Sequence, residues 1–118
     1  MKLALPLMCA CMALTLATAG YSATQQDMNQ AAGRQYEQAD QALNQAYVRL
    51  MARLDAPRQE KLKLAQRAWL RFRDAQAELV SSAWEGGSIR PLIHGEELIR
   101  LTEHRTAELL RLLEEQGD

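Results

Sequence analysis

An all-α fold, an antiparallel three-helix bundle, is what the sequence predicts, and three observations predict it. Three long stretches repeat apolar residues at alternating spacings of three and four, which gathers them on one face of a helix. Two short segments of turn-forming residues, Asp55-Ala56-Pro57 and Glu85-Gly86-Gly87-Ser88, divide those stretches. No segment alternates apolar and polar residues with the two-residue period of a strand.

The first helix is expected from Gln25 to Leu54. Its stripe runs Tyr36, Asp40, Leu43, Tyr47, Leu50 and Leu54, and Gly33 alone interrupts the run. Pro57 disfavours helical geometry at Ala56 and fits the first turn of the next helix, with Asp55 or Ala56 as its cap. That second helix is expected from Pro57 to Trp84, with Leu62, Ala65, Trp69, Phe72, Gln76, Leu79 and Ala83 facing inward. Trp69 and Phe72 carry its largest apolar area and are expected at the centre of the core. A glycine just past its end suits the left-handed conformation that closes a last turn, and Ser88 is placed to cap the third helix. The third helix should begin between Ile89 and Pro91 and reach Glu115. Its stripe is Leu98, Thr102, Arg105, Leu109 and Leu112, widened by Ile99, Leu101 and Leu113. Gly95 inside it, about 1 kcal/mol less favourable than alanine, predicts a ragged start. Short connectors make chain neighbours antiparallel.

A chain of 118 residues allows one domain. Residues 1–19 read as an export signal. Lys2 supplies the positive start, Leu3 to Leu16 is apolar or small, and Ala17-Thr18-Ala19 has the small-x-small form of a cleavage site. Cleavage is expected after Ala19. Ala23 is the later alternative, disfavoured by Tyr21 at a position that prefers a small side chain. The helical domain then spans residues 24–115. The apolar run is shorter than the roughly 20 residues that cross a bilayer, so no membrane span is expected in the mature chain. Cys9 and Cys11 lie within the leader and are preceded only by poor versions of the small-residue box of a lipid-modified cysteine, both early in it, so anchoring through either is not expected. The mature chain therefore has no cysteine. In the periplasm, the expected location, packing alone must hold it together.

With 47% hydrophobic and 25% charged residues the composition is that of a folded domain, neither disordered nor membrane-embedded. The net charge of −1, made one unit more negative by loss of Lys2, argues against a nucleic-acid partner. His94 and His104 stand ten residues apart on one helix, and no zinc-type spacing of histidine or cysteine occurs. His94 with Glu97 is the nearest approach to a metal pair, and both histidines are expected at the solvated surface. No nucleophile elbow or phosphate-cradling loop is present. No catalytic residue, cofactor or metal is assigned, and an enzyme is not expected.

Charged residues interrupt two of the apolar stripes. Asp40 and Arg105 occupy core-type positions, and Arg73 lies one position off the second stripe. An isolated buried charge is costly, so Asp40 is expected to meet Arg73 or Arg105 across the bundle as an inter-helix polar network. The alternative is that the long arginines reach past the core edge to water.

These landmarks, taken in order, resemble a known family. Met28-Asn29, Tyr36, Ala39-Asp40, Leu43-Asn44 and Tyr47 open the pattern. Leu64-Ala65-Gln66-Arg67-Ala68-Trp69 with Phe72-Arg73-Asp74-Ala75 forms its middle, and Gly86-Gly87-Ser88 with Leu101-Thr102 and Arg105 completes it. Over Gln25 to Leu113 the chain resembles the LprI-type lysozyme inhibitors, exported helical bacterial proteins. The resemblance implies a cell-envelope binding protein, and some relatives inhibit lysozyme. It also implies cysteines near Ala31, Ala77 and Glu97, which this chain lacks.

Two functions compete. One is inhibition of a lysozyme-type muramidase, an enzyme that works through two carboxylates in a groove. The turn comprising Trp84, Gly86, Gly87, Ser88 and Arg90 is the candidate interaction element, unless it merely joins two helices. The other is an immunity-type or envelope-stress protein whose target is not a muramidase. Self-association through an exposed helix face also stays open, with Trp84 as an anchor for either kind of interface.

Overall fold

The computed structural model describes residues 12–117, with side chains from residue 24 onward. It contains three helices: α1 (Met12–Met51), α2 (Ala56–Ser81) and α3 (Arg90–Glu114), with a single 3-10 turn, Ser82–Trp84, after α2. The leader expected over residues 1–19 lies outside the described residues as far as residue 11. The helical backbone of α1 already covers both expected cleavage positions. No helix among the described residues is long and apolar enough to cross a membrane.

The connectors behave as their residues dictate. Asp55 caps α2, its carboxylate accepting from the Arg58 backbone N–H at 3.0 Å, and Pro57 sits in the first turn, where a missing N–H costs nothing. Gln59 donates to the carbonyls of Met51 and Leu54, at 3.0 and 3.1 Å, and so closes the end of α1. At the other end, Ser88 does not cap α3 as the sequence suggested. Ile89 occupies the cap position with no side-chain bond. The Ser88 carbonyl instead accepts from the Gln25 side chain at 2.6 Å, tying the turn to α1. Gly95 does not fray α3, which is continuous from Arg90.

The bundle runs up, down, up. Gln25 bonds Ser88, Gly95 faces Ala32 and Arg53 bonds Gln116, each pair 63 residues apart, so α1 and α3 lie parallel in one register. Helix α2 is antiparallel to both, and α1 packs most extensively on α3. Two apolar clusters result. Leu43, Ala46, Leu50, Leu62 and Leu109 form the larger, with Trp69 and Leu112 packed on it. Ala32, Leu92 and Ile99 form the smaller, with Tyr36 against it.

The inward face of α2 is a correction to the sequence reading. Leu62, Gln66, Arg73, Ala77 and Ser81 are its buried residues, and Trp69 is half-buried. Phe72, expected at the core's centre, is exposed, as are Ala65, Leu79 and Ala83. The helix is rotated by about one residue, roughly 100°. The reason lies in the partners: the positions between the two apolar clusters present Tyr36, Asp40 and Arg105. Burying Arg73 and Gln66 against those groups places Phe72 on the far side.

Candidate functional site

Between the apolar clusters lies a belt of polar and aromatic side chains. Each helix contributes at one level: Tyr36 and Asp40 from α1, Gln66, Trp69 and Arg73 from α2, and Arg105 from α3. The Arg73 guanidinium lies over two rings, 5.5 Å from the Trp69 centroid and 5.6 Å from that of Tyr36. Its Nε donates to Asp74 at 3.0 Å, and its Nη1 lies 3.8 Å from the Asp40 carboxylate. That Nη1 has no hydrogen-bond partner among the described residues, so the π faces and nearby carboxylates together balance a buried charge.

Of the three residues expected in the network, Asp40 and Arg73 are brought together. Arg105 is not on Asp40; it donates to Gln66 at 3.0 Å and to Glu108 at 3.0 Å, and lies 5.9 Å from the Trp69 centroid. Trp69 is thus flanked by two arginines, one from its own helix and one from α3. Gln66 was missed by sequence reading. Its signal was spacing, one turn before Trp69 and two turns before Arg73, which put it on their face whatever its polarity. Burial pushes the Tyr36 phenol pKa above its ordinary value; the Arg73 charge opposes that rise and the Asp40 carboxylate adds to it.

The glycine turn closes the other end of the molecule. Trp84 to Gly87 is a type II turn: the Gly87 N–H donates to the Trp84 carbonyl at 2.9 Å, and Gly86 takes φ +77°, which favours glycine. Arg90, named in the candidate interaction turn, is already engaged, bound to Glu78 of α2 at 3.0 Å and to Glu85 at 3.2 Å. His94 also turns to Glu78, at 3.3 Å, and is half-buried rather than solvated. His104 is exposed beside Glu108. Its exposed apolar side chains are Trp84, 44% exposed, and Ile89, beside exposed Glu85 and Ser88. Exposed Met28 stands one turn beyond Gln25 on α1.

A groove between α1 and α2, lined by Asp40, Asn44, Tyr47, Lys63, Gln66 and Arg67, lies beside the belt. It is shallow and of mixed charge. Among the described residues no group of three or more histidine, cysteine or acidic side chains could hold a metal ion.

Fold and belt define a small all-helical scaffold, cysteine-free from residue 12 onward and joined across its middle by arginine–aromatic contacts. The chain belongs to the family of lysozyme inhibitor LprI, whose model matches residues 16–109. That is a family of inhibitors, not of enzymes. The chain is also 38% identical over 104 residues to an uncharacterised protein of Rhizobium meliloti, an alignment covering 77% of this chain and 75% of that one. No solved structure matches.

Proposed function

We propose that this protein is an exported cell-envelope inhibitor of lysozyme-type muramidases, and that the glycine turn enters the enzyme's groove. Family membership supports the activity. The observation that carries the choice of surface is the exposed set of Trp84, Ile89 and Met28 around a turn narrowed by two glycines. Large apolar side chains at the tip of a rigid element are the usual anchors of a protein interface. Arg90 shapes the turn through Glu78 and Glu85, while the Ser88 hydroxyl and the turn's backbone are the polar groups offered to the groove. The belt of Asp40, Arg73 and Arg105 sets helix register and so aims the turn.

A lytic assay tests both parts. Purified protein in molar excess is expected to slow lysis of bacterial cells by lysozyme, and Trp84→Ala to weaken inhibition by about 10-fold or more. Full lysozyme activity at large excess rejects the muramidase target and leaves a non-muramidase protein partner. Inhibition that Trp84→Ala leaves intact rejects the turn as the contact surface.

A further inference from the structure

Helix α2 carries its larger apolar side chains on the wrong side for a monomer. Of its fully buried residues only Leu62 is large and apolar. Facing outward are Leu64, Phe72 and Leu79, exposed by 64%, 52% and 66%, with exposed Ala68 and Ala75 between them. Spacings of four, four, three and four keep these five on one stripe about 22 Å long. A contiguous apolar stripe rimmed by charge marks an interaction surface.

We infer that two copies of this chain pair through that stripe, α2 against α2, antiparallel about a twofold axis. The stripe is complementary to itself in that arrangement and in one register. With Phe72 facing Ala75 of the second copy, Leu79 falls opposite Ala68 of the second copy, and the twofold axis repeats both layers. Each layer then sets a large side chain on a small one, which lets the helices close. The charges agree. Arg71 and Glu78 flank the stripe on the same edge, two turns apart. The same register places Arg71 beside Glu78 of the second copy, twice. Arg71 makes no ion pair among the described residues, and Glu78 remains 64% exposed while it holds Arg90 and His94. A parallel pairing in register sets Phe72 on Phe72, Leu79 on Leu79 and alanine on alanine, and it turns the edge that carries Arg71 and Glu78 away from the same edge of the second copy. A single helix-on-helix seam lies at the low end of specific interfaces, about 1,200 Å² in total, the class of reversible association, so the test spans the micromolar range.

Sedimentation equilibrium on the purified chain, from about 1 to about 200 µM, is expected to show a monomer–dimer equilibrium. Phe72→Glu weakens association at least about 100-fold and leaves the helical circular dichroism unchanged, because that side chain is outside the core. Ala75→Phe sets phenylalanine on phenylalanine and weakens the dimer about 10-fold; adding Phe72→Ala restores the large-on-small layers and returns affinity to within about 3-fold. Arg71→Glu weakens it about 10-fold through two like-charge contacts. A wild-type chain that stays monomeric throughout, or a Phe72→Glu chain that dimerises normally, overturns the pairing. So does capture of a different protein by this face from a chain that never self-associates. Failure of Phe72→Ala to rescue Ala75→Phe overturns the register.

Discussion

The guanidinium of Arg73 and the indole of Trp69, one helical turn apart on α2, stack inside the bundle with 5.5 Å between charge and ring centroid. Arg73 is buried, and the second ring, that of Tyr36, reaches it from α1. Asp40 is a weaker partner: its side chain is 42% exposed and 3.8 Å away, beyond hydrogen-bonding distance. The two positions should therefore differ sharply. Arg73→Ala removes the buried stem and both cation–π contacts, and is expected to lower unfolding free energy by about 2–4 kcal/mol. Asp40→Ala should cost under about 1 kcal/mol, since its carboxylate is already half in water. Arg73→Met, which fills the space without the charge, should retain more stability than Arg73→Ala. Urea unfolding of the three variants measures this. Equal losses for Asp40→Ala and Arg73→Ala refute the ranking.

Two aromatic residues three positions apart on α2 have opposite fates. Trp69 packs on the larger apolar cluster, and Phe72 faces solvent. Trp69→Ala is expected to cost about 3–5 kcal/mol and Phe72→Ala less than about 1 kcal/mol, measured at low protein concentration, where α2 is unpaired. A large loss at Phe72 under those conditions places it back in the core.

That contrast shows where sequence was informative. The three helices, their order and a cap at Asp55 or Ala56 were legible because periodicity, proline and a short carboxylate side chain act locally; the structure places the cap at Asp55. So was the candidacy of Asp40, Arg73 and Arg105, since charges in an apolar stripe announce themselves. The rotation of α2 was not legible. Its two faces are nearly matched in hydrophobicity, one carrying Phe72 and Leu79, the other Leu62, Trp69 and Ala77. The deciding factor is what α1 and α3 present, a tertiary fact absent from the helix's own pattern. For the same reason a sequence reading does not place Gln66 in the belt, nor does it show that Glu78, twelve residues earlier, holds Arg90.

The glycines separate into two kinds. Gly33 lies within α1, and a methyl group added there meets nothing within 4 Å. Gly33→Ala should therefore raise stability by about 0.5–1 kcal/mol. Gly86 has equal room but φ +77°, so Gly86→Ala should lower stability by about 1–2 kcal/mol through backbone strain alone. Thermal melts at fixed concentration compare them. A stabilised Gly86→Ala chain contradicts the type II turn.

Tyr36 gives the belt a signature at alkaline pH. Burial holds its phenol pKa above the unfolded value near 10, against the pull of Arg73 and with the push of Asp40. The folded state thus keeps this proton more tightly than the unfolded chain does. Stability from the neutral phenol is complete below the unfolded value, and it is lost as pH rises through the folded one. Unfolding free energy should accordingly fall above about pH 10, and Tyr36→Phe should reduce the slope of that fall. Phenolate absorbance, taken as the difference between wild type and Tyr36→Phe, isolates this group among the three tyrosines. In the Arg73→Met background the Tyr36 midpoint should move further up, because the opposing positive charge is gone. A midpoint that drops, or stays where it was, removes Arg73 from the face of that ring.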